Sequence, residues 1–279
     1  MLKLNKTLIL LVIFTQTSFA QSKLHSLPET SVAFDSSGFA KTKRFLDQLS
    51  TNDFTKETFD TGNEQIPYRL LKPQHLVNHV KYPLIITLHN STRMGTDNER
   101  QLEALTRIWL IPENRKKFPA FVLAPQFEKR SSMYELDRQK NILISKPSPA
   151  LKQMPALIAK LIQEYDIDPK RIYLIGYSMG GSSAQNLMAL NPDLFTAMIS
   201  IAGVPDFSNI SKIKKKPIWL IHGRKDEENL FKGSEELYRS IPKQSRIKLS
   251  SYDNLDHSNI NYPLLLSKDL PIWLFRWKK

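Results

Sequence analysis

A glycine-flanked serine is the strongest chemical signal in the chain. Gly176, Ser178 and Gly180 form the pattern Gly-x-Ser-x-Gly within the segment GYSMGG. The segment directly follows a short apolar run, RIYLIG, and precedes residues with helical character. A serine on such a strand-to-helix turn has a strained backbone, and small residues on either side prevent a collision. This context favours a nucleophilic serine over a tight turn that merely contains one.

A serine hydroxyl is a weak nucleophile until a base removes its proton, and the base needs an acid to orient it. On a strand–turn–helix scaffold of this type, the acid and then the histidine follow the serine along the chain. Asp226 follows the apolar run Pro217–Gly223, and His257 is the only later histidine. We therefore predict Ser178 as nucleophile, His257 as base and Asp226 as orienting acid. The rival acids are Glu227 and, less favoured, Asp253 and Asp256.

The oxyanion of an acyl-transfer intermediate needs two backbone N–H donors. We expect one from Met179, directly after the nucleophile, and the other from Ser91, in the loop after the apolar run Tyr82–His89. Asn90 stands where glycine would be easier, but asparagine tolerates left-handed backbone geometry. The loop could therefore still form an oxyanion hole.

The remaining histidines and the absence of cysteine limit other chemistries. No His-Glu-x-x-His motif or other metal-ligand spacing occurs, so we predict no catalytic metal and no cofactor. With no cysteine, thiol catalysis and disulfides are excluded. His89 and His222 end apolar runs, where packing or loop-bracing roles are expected. The other histidines are His25, His75 and His79, all before the serine.

Apolar runs alternating with helical patterns indicate an α/β fold, with a mostly parallel central sheet and helices on both faces. In such sheets the functional residues lie at the carboxyl ends of the strands. A helix is expected within Pro149–Tyr165, starting near Gln153 because of Pro155, and a kinked one over Leu264–Trp277. The predicted strands are two around a turn from Phe54 to Leu71, then Tyr82–His89, Phe121–Pro125, Arg171–Gly176, Ala197–Gly203, Pro217–Gly223 and Ile247–Tyr252.

The N-terminus has the pattern of an export signal. Lys3 and Lys6 precede the apolar run TLILLVIF, and Ser18-Phe19-Ala20 offers a cleavage site. We predict a signal peptide over 1–20, an N-terminal extension over 21–52 with a short helix around Ala40–Leu49, and one hydrolase domain over 53–279. The mature protein would be periplasmic or secreted, without stable membrane insertion. An uncleaved anchor is the alternative.

Composition fits one globular domain with a basic surface. The chain has 279 residues, 41% hydrophobic and 24% charged, and a net charge of +13. We interpret the charge as a solvated surface in preference to a site for an anionic polymer or membrane. No nucleic-acid motif accompanies it, so no nucleic-acid partner is predicted. The sequence does not specify the oligomeric state.

Several segments together resemble a known group, the secreted "predicted peptidase"/esterase branch of the α/β-hydrolases, related to polyhydroxybutyrate depolymerase-like and dienelactone hydrolase-like enzymes. They include IPYRLLKP, YPLIITLH followed by GTDN, FPAFVLAPQ, YDIDPKRIYLIGYSMGG and PIWLIHGRKDE. The resemblance implies the α/β-hydrolase fold and hydrolysis of carboxylic esters, including esters on plant-polysaccharide side chains. The expected partner is therefore a small-molecule or carbohydrate ester substrate. Ser178, Asp226 and His257 match the triad of the group.

The chain departs from this group at three places. Residues 90–94 replace a glycine-rich loop that has a Glu-Arg pair, and Asp256 replaces the glycine usual before the histidine. Glu228-Asn229-Leu230 replaces a Val-Pro after the acid. These changes bear on substrate preference more than on reaction type. The walls of the pocket are expected from loops such as Gln126–Leu136 and Ser258–Tyr262.

Two other functions remain open from the sequence. A peptidase or amidase would use the same three residues on a different bond. A non-catalytic binding protein on a hydrolase scaffold would explain the altered loop after His89, although the intact order of serine, acid and histidine argues against it.

Overall fold

The centre of the molecule is a nine-stranded sheet. The structure is a computed structural model that describes residues 29–30, 32–62, 64–242 and 245–279. The predicted signal peptide, residues 1–20, lies outside the described residues. Among the helices that the structure describes, none has the length and apolar character needed to cross a membrane.

The sheet is parallel except at one edge. Its order is β1-β11-β10-β9-β8-β4-β5-β3-β2, and β2 and β3 run antiparallel to their neighbours. Strands β6 and β7 form a separate antiparallel hairpin. The strands are β1 (Glu29–Thr30), β2 (Phe54–Asp60), β3 (Gln65–Leu71), β4 (Tyr82–Leu88), β5 (Phe121–Pro125), β6 (Ser132–Asp137), β7 (Ile142–Pro147), β8 (Ile167–Tyr177), β9 (Ala197–Ile201), β10 (Ile218–Gly223) and β11 (Ile247–Tyr252).

Helices cover both faces of the sheet. Short 3-10 turns also occur at Ser91–Arg93, Ile108–Leu110 and Leu151–Gln153. The α-helices are α1 (Ser36–Gln48), α2 (Ala104–Arg107), α3 (Pro112–Lys117), α4 (Met154–Glu164), α5 (Met179–Leu190), α6 (Ile210–Ile213), α7 (Phe231–Ser240) and α8 (Asp269–Phe275).

Two buried apolar clusters explain the continuous apolar runs in the sequence. In β4, Leu84 and Ile86 belong to one cluster, whereas Ile85 belongs to the other. Successive side chains of a strand point to opposite faces, so a strand between two helix layers must be apolar at every position. The predicted fold, a mostly parallel sheet with helices on both faces, is confirmed.

Two helix boundaries follow from proline. Helix α4 begins at Met154, close to the predicted start, with Pro155 in its first turn where no intrahelical N–H bond is lost. The terminal helix was predicted too long. Helix α8 spans only Asp269–Phe275, and Pro271 lies in its first turn instead of causing a kink.

The hairpin β6–β7 was not predicted, and it corrects one expectation about the pocket. Ser132 lies in the range expected to form a pocket wall, but its Oγ donates to Asn186 Oδ1 on α5 at 2.7 Å. Ser131 and Ser183 hydroxyls are also 2.8 Å apart. The hairpin therefore covers the polar side of α5, and no residue of 126–136 lines the cavity at Ser178.

The predicted N-terminal extension, residues 21–52, includes a longer helix than expected. Helix α1 begins at Ser36 because the Asp35 side chain accepts the Ser37 N–H at 3.0 Å, capping the first turn. Leu46 is fully buried in the cluster on that face of the sheet. The segment thus packs against the body of the fold, where the sequence alone gave it no role.

Candidate active site

The Gly-x-Ser-x-Gly segment forms a sharp turn between β8 and α5. Ser178 has φ 57° and ψ −121°, a region that side-chain-bearing residues rarely occupy. Its N–H donates to the Ile201 carbonyl of β9 at 2.9 Å, and its carbonyl accepts the Ser182 N–H at 3.0 Å. These bonds at both ends hold the strained serine at the carboxyl edge of the sheet.

Both flanking glycines are required by close backbone approach. A Cβ on Gly176 would lie 2.2 Å from the Gly180 carbonyl oxygen. A Cβ on Gly180 would lie 1.9 Å from the Leu88 carbonyl oxygen at the end of β4. This close approach of Gly180 to Leu88 places the start of α5 next to the loop that follows β4. The two expected oxyanion donors, Met179 and Ser91, therefore belong to neighbouring segments.

Replacing Gly180 with alanine is expected to lower the free energy of unfolding by about 3 kcal/mol, because backbone atoms must shift to admit the Cβ. The measurement is urea denaturation. Gly62→Ala is the control: its φ is +82° but nothing lies within 4 Å of the added Cβ. In that variant only backbone strain should lower the free energy of unfolding, by about 1–2 kcal/mol. Equal losses in the two variants would contradict the steric explanation.

The structure brings the three predicted catalytic side chains together. His257 Nε2 lies 2.8 Å from Ser178 Oγ, and His257 Nδ1 lies 2.7 Å from Asp226 Oδ2. The carboxylate can only accept, so Nδ1 carries the proton and Nε2 accepts from the serine. Such an arrangement is ready to remove the serine proton.

The loop that carries His257 is held from two sides. Tyr177 donates its hydroxyl to the His257 carbonyl at 2.7 Å, and its ring lies 5.2 Å from the imidazole. The Asp256 side chain accepts the Ser258 N–H at 2.8 Å and the Asn259 N–H at 3.2 Å. Asp256, a rival acid in the sequence, therefore caps a turn and does not pair with the imidazole.

Asp226 is buried and remains ionised. Burial by itself raises the pKa of its carboxyl, but hydrogen bonds from His222 and His257 hold that pKa well below its usual range. Its Oδ1 also accepts the N–H groups of Glu228 and Asn229, at 3.0 and 2.8 Å. The rival Glu227 is exposed, and the rival Asp253 lies 3.0 Å from Arg224.

His222 contacts the acid, which the sequence did not indicate. Its Nε2 lies 2.6 Å from the Asn229 carbonyl and 3.2 Å from Asp226 Oδ2, so this nitrogen carries the proton. Its Nδ1 lies 2.7 Å from Ser234 Oγ on α7. His222 therefore has the bracing role expected of a histidine at the end of a strand, and the segment that it braces is the loop that carries Asp226.

His89 braces the loop after β4. Its Nδ1–H donates to the Asn90 carbonyl at 2.8 Å, and its Nε2 accepts the Phe127 N–H at 3.1 Å. Burial lowers the pKa of His89 to about 4, so the ring is neutral near pH 7. This histidine has a structural role, as its position at a strand end suggested.

Asn90 has an extended backbone, with φ −75° and ψ 172°, so the left-handed geometry considered for it is not used. Its side-chain Oδ1 instead accepts the Thr92 N–H at 2.8 Å and caps the 3-10 turn. Ser91 is the first residue of that turn, and Met179 is the first residue of α5. The leading N–H groups of a helix have no intrahelical acceptor. Both residues therefore have amides suited to an oxyanion.

A cavity of about 530 Å³ opens at Ser178 and His257. Ser91 lines it, as do Ser258 and Asn261 from the loop expected to form a wall. Phe39 and Lys43 of α1 also line it, and neither was predicted to. The charged lining residues are Lys43, Arg93, Arg100, Arg107, Asp47, Glu99, Glu103 and Glu228.

Across residues 29–30, 32–62, 64–242 and 245–279, no group of three or more His, Cys, Asp or Glu side chains could hold a metal ion. The acid, base and nucleophile are instead arranged for proton transfer and covalent attack.

The sheet, its helix layers and the strained serine turn define the α/β-hydrolase fold, and comparisons with known proteins agree. The model of the prolyl oligopeptidase family matches residues 148–268, which include Ser178, Asp226 and His257. A crystal structure of a thermostable esterase superposes with a TM-score of 0.73 at 31% identity, over 82% of this chain and 64% of that chain. These findings place the protein in the α/β-hydrolase superfamily.

Two further similarities cover only parts of longer proteins. A bifunctional acetylxylan esterase/xylanase of Neocallimastix patriciarum is 24% identical over 185 residues, which is 63% of this chain and 25% of that protein. An acylaminoacyl peptidase of Pyrococcus horikoshii superposes with a TM-score of 0.55 at 15% identity, over 77% of this chain and 39% of that chain. The chain thus spans less than two thirds of the length of each of these two proteins and of the thermostable esterase.

Proposed function

We propose that the protein is a serine esterase that cleaves carboxylic esters through an acyl-enzyme. The observation that carries this proposal is the hydrogen-bonded series from Ser178 through His257 to Asp226, with distances of 2.8 and 2.7 Å. The similarity to a thermostable esterase at 31% identity supports the ester as the bond cleaved.

Acylation begins when Ser178 Oγ bonds to the ester carbonyl carbon and its proton passes to His257 Nε2. Asp226 stabilises the imidazolium that forms. The tetrahedral intermediate then expels the alcohol, whose oxygen takes the proton from His257. In deacylation, water gives a proton to His257 and attacks the acyl carbon, and Ser178 regains its hydrogen as the carboxylic acid leaves.

The negative charge of each tetrahedral intermediate falls on the former carbonyl oxygen. In the proposed mechanism the N–H groups of Met179 and Ser91 donate to it. Loss of one such donor typically costs about 10²–10³-fold in kcat. The N-terminal end of α5 adds a favourable dipole at the same point.

The charged and polar lining of the cavity supports a carbohydrate-linked ester as the substrate class. Eight charged residues line it, and polar groups such as Thr92 and Asn261 add further hydrogen-bonding capacity. An acetylxylan esterase is among the similar proteins, and the segments quoted above resemble a branch associated with polysaccharide esters. We assign the chain to that secreted branch within the same proposal, with export directed by residues 1–20.

The experiment that tests the bond cleaved is a comparison of matched acyl esters and acyl anilides, extended to acetylated and feruloylated sugars. We expect kcat/KM to be at least about 10²-fold higher for the ester of each pair, because the amine is the poorer leaving group and needs more acid assistance. The kcat/KM of sugar esters should also exceed that of simple alkyl esters with the same acyl group. Faster turnover of the anilides would contradict the proposal.

A peptidase is the second candidate, supported by the match to the prolyl oligopeptidase family over residues 148–268. The same triad would then attack a peptide carbonyl. Rapid cleavage of anilides or short peptides, with slow turnover of sugar esters, would favour this candidate over the esterase.

A further inference from the structure

Glu103 is a carboxyl group at the active-site cavity that the mechanism above does not use. It immediately precedes α2, and its side chain is only 10% exposed. Its Oε1 accepts the Asn90 N–H at 3.2 Å, and its Oε2 accepts the Asn90 Nδ2–H at 2.5 Å. One carboxylate therefore holds both the backbone and the side chain of the residue next to Ser91.

Asn90 is fixed at every polar group by these and neighbouring contacts. Its Oδ1 accepts from the N–H and the hydroxyl of Thr92, at 2.8 and 2.7 Å. Its carbonyl accepts from His89 Nδ1 and from the Arg93 N–H, at 2.8 and 3.1 Å. Because the Asn90 N–H is occupied by Glu103, the next amide along the chain, that of Ser91, is the one left to face a substrate oxygen.

We propose that Glu103 is a positioning residue that clamps Asn90 and thereby aims the Ser91 N–H at the oxyanion. The inference rests on the proposed esterase function. It also explains how a loop without the glycines usual at this place keeps a defined shape: the Asn90 side chain and Glu103 supply the constraint that a glycine-rich turn would otherwise provide.

The clamp is sensitive to protonation near neutral pH. Burial raises the pKa of Glu103 to about 7, although the Asn90 hydrogen bond and the positive charges of Arg93 and Lys43 act in the opposite direction. Arg93 Nε lies 3.8 Å from Glu103 Oε2, and burial together with the charge of Glu103 raises the pKa of the neighbouring Tyr177. The ionised group accepts at both oxygens, whereas a proton on one oxygen opposes a donor there. The clamp therefore weakens as pH falls through about 7.

The test is the pH profile of kcat/KM for an ester in the wild type, Glu103→Gln and the control Glu113→Gln, whose carboxyl is exposed on α3. The side-chain oxygen of a glutamine can still accept from the Asn90 N–H. Its NH₂ group, however, would face the Nδ2 donor of Asn90, and two donors cannot form a hydrogen bond. We expect roughly tenfold lower kcat at alkaline pH with little change in KM, as for an interaction made in the transition state. At acidic pH the profiles of the wild type and Glu103→Gln should converge, because the wild-type carboxyl is then protonated as well.

Several results would overturn the proposal. A Glu103→Gln profile parallel to that of the wild type at all pH values would indicate a purely structural role, and a loss confined to KM would exclude action on the oxyanion. If Glu103→Gln does not fold, Asn90→Ala removes the Nδ2 donor without supplying a glycine, and unchanged kcat in that variant would refute the clamp. A wild type that cleaves no ester would refute the esterase function itself, which is a separate outcome.

Discussion

Replacing Ser178 with alanine is expected to lower kcat for an activated ester by about 10⁶-fold, because the attacking oxygen is lost while the fold is kept. The residual rate should still exceed the uncatalysed reaction by about 10³-fold, through substrate binding and the oxyanion donors. The measurement is steady-state hydrolysis of a p-nitrophenyl acyl ester, with folding checked by circular dichroism.

Ser211→Ala is the matched control for that result. Ser211 lies exposed on α6 and does not line the cavity at Ser178. Its kcat should remain within about twofold of the wild type, as expected for surface substitutions. A Ser178→Ala protein that retains wild-type turnover would show that another group is the nucleophile.

Replacing Asp226 with asparagine is the second large effect, with an expected loss in kcat of about 10⁴-fold. The amide oxygen can still accept from His257 Nδ1, but the amide N–H₂ can turn toward the ring and favour the tautomer that cannot accept the serine proton. Asp226 Oδ2 lies 2.7 Å from Nδ1, so the effect should fall on kcat more than on KM.

Glu227→Gln separates the two neighbouring acids. Glu227 directly follows Asp226 but is exposed, whereas Asp226 is buried against His257. We expect less than a twofold change in kcat for Glu227→Gln. A larger loss in this variant than in Asp226→Asn would assign the orienting acid to Glu227, the rival that the sequence left open.

Chain order made much of the site predictable. Ser178 and Asp226 each follow an apolar run, His257 is the only histidine after Asp226, and the carboxyl ends of parallel strands share one edge of a sheet. The structure places these three residues within hydrogen-bonding distance of one another in that order. The sheet was predictable for a related reason: buried strands such as β4 are apolar on both faces, a pattern visible without any tertiary contact.

The sequence contains no comparable pattern for elements that are stabilised by polar contacts between distant residues. The strands β6 and β7 contain exposed and buried residues in irregular order, and they are fixed by bonds such as that of Ser132 to Asn186, 54 residues away. Lys43 reaches the cavity only because α1 packs across that face of the sheet. Local pattern cannot indicate which distant surface a polar segment will cover.

The same limit applies to the groups that support the triad and the oxyanion loop. His222 ends a strand, as the sequence indicated, but its distance of 3.2 Å from Asp226 depends on how the loop after β10 folds back. Glu103 and Asn90 are 13 residues apart with no motif between them. Chain order led to the prediction of Ser178, Asp226 and His257, whereas the residues that contact them became evident only from the structure.

The most direct measurement of the central claim is mass spectrometry of the protein after reaction with a fluorophosphonate probe. We predict one covalent adduct per chain, on the peptide that contains Ser178, and strongly reduced labelling in His257→Ala, because the imidazole 2.8 Å from Ser178 Oγ activates the hydroxyl. An unlabelled Ser178 in folded protein would contradict the claim and favour a non-catalytic binding protein. An adduct on a different residue, in protein that hydrolyses esters, would place the reaction at another site.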